Sequence, residues 1–257
     1  MLRRIENGDH PALAALWHRA FGDSEDYARR FLALLPKLGF GYAAVEDGAI
    51  VGMAYLICDL SLSDGRGVGY LYAVAVDEHY RRRGLGAALC RACAADGRRE
   101  GRVIATLPAR EPLRGWYRDI IGTRHDLYRG WETLRADAAL PVRALSAAAY
   151  NAARERRLAG QPHLRLGEIA MEAEALNCRS FGGGLYAVGG CLCAASMDEG
   201  VLTVRECLGP ERERAARALA AALGCERVRL MSAGGSEPYM ALDTALPPDT
   251  VWNLAFD

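Results

Sequence analysis

The chain has 257 residues, is 51% hydrophobic, and carries 32 Lys+Arg against 32 Asp+Glu, so its formal net charge is zero. That length and apolar content suit one large domain or two small ones, each with its own core. The balance lacks the basic excess that nucleic acid or a membrane surface calls for, and neither is expected as a partner.

From the N-terminus, residues 2–6 read as a short strand. Asp9 is placed to cap a helix over PALAALWHRAF, with Pro11 in its first turn. A second helix follows over GDSEDYARRFLALL. Asp23 or Ser24 can cap it, and Glu25 and Asp26 suit its positive start. FGYAAVEDGAIVGMAYLICDL reads as two strands joined at Asp47-Gly48, a strong hairpin signal. RGVGYLYAVAV is another strand. RRRGLG and a helix to about Arg99 come next, then strand RVIATL, then helix EPLRGWYRDIIG ending near Gly122. Strand RHDLYRGWETL closes a first half at residue 134.

RADAALP, 135–141, reads as a linker, and a second half spans 142–257. It holds helix LSAAAYNAARERRLA, a helix around 166–178, the glycine run 182–184, and a hairpin of LYAVGGCLCAASMD with GVLTVRECL. Helix PERERAARALAAAL, strands CERVRLMS and YMALDT, and the apolar tail DTVWNLAFD complete it. Both halves share a late order of hairpin, strand, helix, strand, which predicts a degenerate tandem repeat. The literal repeat LYAV at 71–74 and 185–188 is out of register with that order and is read as coincidence. The glycine run is read as a flexible connection before a strand.

The eight cysteines sit mostly in apolar surroundings and read as reduced core thiols. Cys90 and Cys93 form a CxxC with no second pair and no nearby histidines, so no metal site is expected. The N-terminus lacks a signal-peptide core, and the longest nearly apolar run, 185–197, is too short and glycine-rich to span a bilayer. A soluble cytoplasmic protein is expected. Lys37 is the single lysine, and the Ala-, Arg- and Gly-rich usage fits a GC-rich bacterial genome.

RRRGLG, 81–86, is the stretch with chemistry in it. A helix start exposes unpaired amides and partial positive charge, which together make an anion site. Gly84 and Gly86 let a phosphate approach the backbone, and Arg81 can add a charge-assisted bond. A tight turn with solvated arginines is the alternative on spacing alone.

VDEHYRRRGLG after a strand resembles the acetyl-CoA signature of the GNAT superfamily of N-acetyltransferases, whose R/Q-x-x-G-x-G/A core is met by Arg81, Gly84 and Gly86. PAREPLRGWYRDIIG is similar to the segment where that family carries an aromatic-Tyr pair before a turn glycine, here Trp116, Tyr117 and Gly122. The resemblance covers about residues 1–134 by element order. It implies an α/β fold with a mixed sheet: a GNAT-like N-terminal domain and a smaller, degenerate GNAT-like C-terminal one. It implies acetyl-CoA as acyl donor, with pyrophosphate on the amides of Arg82, Arg83, Gly84, Leu85 and Gly86, Arg81 beside it, and pantetheine along Val74, Ala75 and Val76 as an added strand. An amide near Val74 or Ala75 would hold the oxyanion, and Tyr117 would protonate the leaving thiolate.

Thr123 follows Gly122 where the family usually has Phe, so the aim of Tyr117 stays open, with a packed core tyrosine the alternative. No general base is visible; Glu78 and His79 read as surface residues. In related tandem acetyltransferases that modify aminoglycosides the C-terminal carboxylate enters the active site, which makes Asp257 a further candidate. LGPERE replaces the glycine pair in the second half, and Glu211 and Glu213 would repel phosphates, so no coenzyme A site is expected there. The predicted activity is acetyl transfer to a primary amine on a small molecule or peptide, with homodimerisation open. The alternative class is a non-catalytic acyl-CoA sensor or interaction protein.

Overall fold

A computed structural model describes residues 1–137, 139–254 and 256. The chain forms two compact units, one of Met1–Asp126 with Tyr239–Leu246, the other running from Leu127 to Pro238 and from Pro247 onward. The first unit contains β1 (Leu2–Arg4), α1 (His10–Phe21), α2 (Glu25–Leu38), β2 (Gly39–Glu46), β3 (Ala49–Leu62), β4 (Gly67–Val76), α3 (Leu85–Arg99), β5 (Val103–Thr106) and α4 (Glu111–Ile121). The second contains β6 (His125–Arg135, from Leu127), β7 (Val142–Ala144), α5 (Ala147–Arg157), β8 (Leu164–Leu166), α6 (Glu168–Ser180), β9 (Gly184–Val188), β10 (Cys191–Asp198), β11 (Val201–Leu208), α7 (Arg212–Ala222) and β12 (Arg227–Ala233). Strand β13 (Glu237–Leu242) returns to the first unit from Tyr239.

The sheet of the first unit runs β1-β2-β3-β4-β5-β13, and that of the second β6-β12-β11-β10-β9-β7. Each unit thus takes one strand from the other half of the chain, β13 in the first and β6 in the second. Strand β6, which reads in sequence as the close of the first half, pairs with β12 from Arg135↔Arg227 to Arg129↔Ala233. Strand β13 pairs with β5, and Asp243 secures it. The Asp243 Oδ1 accepts the Ile104 amide at 2.9 Å, and its own amide donates back to the Ile104 carbonyl at 3.0 Å.

Local signals behave as the chemistry demands. Asp47 and Gly48 both take positive φ, 49° and 80°, the type I′ turn that matches strand twist. The Ser24 hydroxyl accepts the Tyr27 amide at 3.1 Å, so capping accounts for part of the acidic GDSED stretch. All eight cysteines are free thiols, and seven are buried. LYAVGGCLCAASMD is two strands, because Gly189 and Gly190 turn the chain with φ of 52° and 84°. The two LYAV copies lie in β4 and β9, which are not equivalent places. The run at 182–184 is packed: a Cβ at Gly183 would collide with the Ala195 carbonyl of β10, so close approach, and not flexibility, explains it.

The repeat is visible in register. In the first unit β4 and β5 run parallel over Val68↔Val103 to Leu71↔Thr106; in the second, β11 and β12 do so over Val201↔Arg227 to Val204↔Leu230. A bulge interrupts the pairing to the preceding strand just beyond each segment, between Met53 and Tyr55 opposite β4 and between Ala194 and Ala195 opposite β11.

The second unit is held by an unusual amount of buried charge. Arg154 and Glu206 are fully buried and joined at 2.9 and 3.1 Å, with the Tyr150 hydroxyl donating to the same carboxylate at 3.0 Å. Burial of Trp252, Leu254 and Phe256 gives the apolar tail its packing, and the Phe256 amide donates to the buried Glu174 carboxylate at 3.0 Å. Asp257, the carboxylate candidate, lies outside the described residues.

Candidate active site

Strand β4 builds the site through one residue. Ala73 takes φ 49°, and pairing jumps from Tyr55↔Tyr72 to Met53↔Ala75. Two residues, Ala73 and Val74, therefore stand where the ladder has room for one, which is a β-bulge. The bulge resets the inside-outside alternation of the strand. Before it, Tyr72 faces α1 and α2, its ring 5.8 Å from Trp17 and 5.3 Å from Phe31. After it, Val74 and Val76 pack with the cluster that contains Leu89 and Cys90 of α3. Pairing of β4 with β5 ends at Leu71↔Thr106, so the stretch that holds the bulge and Val74–Val76 lies past the fork between the two strands.

The loop after β4 carries the glycines. Asp77 starts it by accepting the His79 amide at 3.2 Å through its side chain. Arg82 and Gly84 take φ of 63° and 78°, and left-handed residues within such a turn draw successive amides toward one point. Gly84 is the N-cap of α3, and no side chain caps the helix there. The amides of its first turn are therefore open to an anion. A Cβ built on Gly84 meets nothing within 4 Å, so its requirement is the positive φ together with clear space in front of it. Gly86 differs: a Cβ there would touch Val76 at 3.7 Å and Trp116 at 3.8 Å. Val76, Gly86 and Trp116 thus meet at one place, joining strand, loop and α4.

Of the arginines, Arg81 braces the end of β4, its Nε donating to the Val76 carbonyl at 3.0 Å. Arg83 turns back, donating to the His79 carbonyl at 3.3 Å and lying 3.7 Å from Glu46. Arg82 is exposed, as are Glu78 and His79. Leu85 opens α3 and packs at the edge of the same cluster as Val76. Ala75 is buried and pairs with Met53.

Tyr117 comes to the fork from α4. It is 7% exposed, and its ring centroid lies 4.8 Å from that of Trp116. Burial is the main cause that pushes its phenol well above the usual tyrosine range; Cys90 nearby adds to this, and a hydrogen bond with Thr106 opposes it. Helix α4 ends on Gly122 with φ 73°, so Thr123 in place of Phe leaves the turn intact. Two residues that sequence reading passed over complete the site. Ala73 carries no glycine or asparagine to announce a left-handed bulge, and Thr106 is one more β-branched residue in a strand.

Four features come together here: a mixed sheet, a bulged strand β4, a fork beside it, and a glycine loop opening a helix. Residues 2–122 match the model of the Acetyltransferase (GNAT) family. No curated protein matches the chain. Solved structures resemble it over most of its length: a conserved protein of Enterococcus faecalis (12% identity, TM-score 0.69, 94% of this chain and 72% of that one), a GCN5-related N-acetyltransferase of Kribbella flavida (19%, 0.62, 94% and 70%), and one of Anabaena variabilis (12%, 0.67, 94% and 72%). At such identities these are likenesses of fold, and they extend over both units. No helix among the described residues is long and apolar enough to cross a membrane.

Proposed function

We propose that the first unit transfers an acetyl group from acetyl-CoA to a primary amine by direct attack. The observation that carries this reading is the convergence of Val76, Gly86 and Trp116 beside the uncapped start of α3, with Tyr117 at the fork. The donor fits what is there. Gly84 leaves clear space in front of unpaired amides for pyrophosphate, and β4 past Leu71 has no β5 residue paired to it, so an extended pantetheine arm can run along Val74–Val76.

The residues then divide the work. The bulge frees backbone amides near Val74 to stabilise charge developing on the thioester oxygen. Loop amides and Arg82 hold the phosphates, while Arg81 keeps the strand end in place through Val76. Tyr117 stays protonated through neutral pH because burial opposes its ionisation, which suits an acid that waits for a thiolate. The acceptor amine comes from the α1–α2 side of β4, where Tyr72 stands with Trp17 and Phe31. The second unit keeps the fork and the bulge but opens its helix with Glu211 and Pro210 in place of glycines, and we assign it no donor site.

The test is free-thiol release from acetyl-CoA over a panel of primary amines, with Tyr117→Phe in parallel. The expected result is turnover with at least one amine and a loss of about 10²–10⁴-fold in Tyr117→Phe with acetyl-CoA binding retained. Binding without thiol release for any amine would instead favour an acyl-CoA sensor.

A further inference from the structure

Strands β10 and β11 of the second unit bring two thiols together. Cys193 and Cys207 stand directly opposite each other in the antiparallel register, and their sulfurs are 3.6 Å apart. Both are buried, in the cluster that includes Ala215 and Leu219 of α7. The Cys207 thiol donates to the Arg212 carbonyl at 3.5 Å. A thiol has one proton, so the hydrogen bond between the two sulfurs runs from Cys193 to Cys207. Opposite residues of an antiparallel pair have Cα atoms about 4.5–5.5 Å apart, inside the range of about 4.4–6.8 Å that disulfides use. The strands thus stand at disulfide spacing, and side-chain movement closes the sulfurs from 3.6 Å to a bond of about 2.05 Å. The bulge between Ala194 and Ala195 begins one residue away and interrupts the ladder there.

We propose that Cys193 and Cys207 are a redox-active pair that a small hydroperoxide converts to a reversible disulfide. Cys207 gives its proton to solvent, and the thiolate attacks one peroxide oxygen. The O–O bond breaks with its electron pair going to the other oxygen, which takes a proton from solvent and departs as alcohol or water. Cys207 is left as a sulfenic acid. The Cys193 sulfur then attacks the Cys207 sulfur and the S–O bond breaks. The departing hydroxide takes the Cys193 proton and leaves as water. Two thiols are oxidised and one peroxide is reduced. A dithiol returns the pair to the reduced state by exchange. Neither thiol belongs to the donor site of the first unit, and the chemistry needs no acetyl-CoA.

The surroundings favour Cys207 as the attacking sulfur. The Cys193 thiol that donates to it, with Arg212 nearby, holds the Cys207 thiol below its usual range against the effect of burial, while Cys193 itself is pushed up. Elsewhere burial dominates, and it pushes the Cys90 and Cys178 thiols up to about 12. Cys207 also lies near an entry. Arg212, whose carbonyl it bonds, lines a cavity of about 560 Å³ with Pro210, Glu211 and Ser232, and residues 210–211 are exposed. A molecule the size of hydrogen peroxide can reach the start of α7 by that route. The competing thiol is Cys191, two residues before Cys193 on the same face of β10, whose sulfur would lie 2.5 Å from a Cβ built on Gly209.

The test uses the whole chain and needs no turnover. The folded protein is treated with hydrogen peroxide, quenched with catalase, then unfolded so that its remaining thiols can be alkylated and its peptides mapped by mass spectrometry. The expected result is a Cys193–Cys207 cross-link in most molecules, removed by dithiothreitol, lost in Cys207→Ser and kept in Cys191→Ser. In Cys193→Ser the sulfenic acid should persist on Cys207, where dimedone traps it. The wild-type map stands whether or not a variant folds. Cys193 and Cys207 both alkylated after peroxide, a cross-link that joins Cys191 instead, or one that forms only when peroxide is added in urea overturns the proposal.

Discussion

Gly86→Ala separates folding from donor binding. The new methyl would meet Val76 at 3.7 Å and Trp116 at 3.8 Å, ordinary van der Waals distances, so nothing has to move. Gly86 lies in the first turn of α3, where alanine is the better helix former by up to about 1 kcal/mol. Partial burial of the methyl adds a fraction of about 0.8 kcal/mol. The unliganded variant should therefore be as stable as wild type or more so, with a Tm higher by about 2–4 °C. The same methyl stands between the strand and the aromatic ring that flank the proposed donor groove. If affinity drops tenfold, acetyl-CoA at a hundred times the wild-type Kd would stabilise the variant by about 1.4 kcal/mol against about 2.7 kcal/mol for wild type. Thermal melts with and without acetyl-CoA measure both quantities. Equal ligand-induced shifts would refute the close approach at Gly86, and a clear loss of unliganded stability would refute the packing argument.

Three other outcomes follow from the same reasoning. Glu206→Gln removes the buried counter-charge of the fully buried Arg154, leaving it only the partly exposed Glu155 at 3.3 Å, and should cost about 3 kcal/mol, read by urea unfolding. Asp9 accepts from both Arg3 terminal nitrogens, at 2.6 and 2.7 Å, and from the Glu6 amide, which together hold its carboxyl below the usual range. A depressed folded value means stability that is present above the unfolded value, near about 3.9, and lost as pH falls through the folded one. Asp9→Asn should flatten that part of the acid limb, measured by denaturation between about pH 2 and 6. Gly84→Ala differs from Gly86→Ala because its φ is 78°: it should destabilise the unliganded protein by about 1–2 kcal/mol, visible as a lower Tm.

Much of this was legible where a residue type has a single physical use. Asp47-Gly48 announced a type I′ turn, and the glycine loop announced a helix start with unpaired amides. The repeat was legible as element order, and the paired registers of β4–β5 and β11–β12 now give it a geometric meaning. The exchange of β6 and β13 was not legible, since local pattern says that a segment is a strand but not which sheet receives it. Nor was the bulge, because Ala73 adopts a conformation that its own chemistry disfavours and its surroundings impose. Thr106 acquires its place only when the fork forms beside it. The glycine run at 182–184 misled for the opposite reason: glycine serves close packing as well as flexibility, and only the neighbouring Ala195 carbonyl tells them apart.

Calorimetric titration of acetyl-CoA into wild type and Gly84→Glu tests the central claim most directly, because the added carboxylate would enter the clear space before the α3 amides. Saturable binding to wild type that is lost in a folded Gly84→Glu protein is the predicted result. No heat of binding to wild type at millimolar acetyl-CoA, or equal binding by both, would contradict a donor site on this loop.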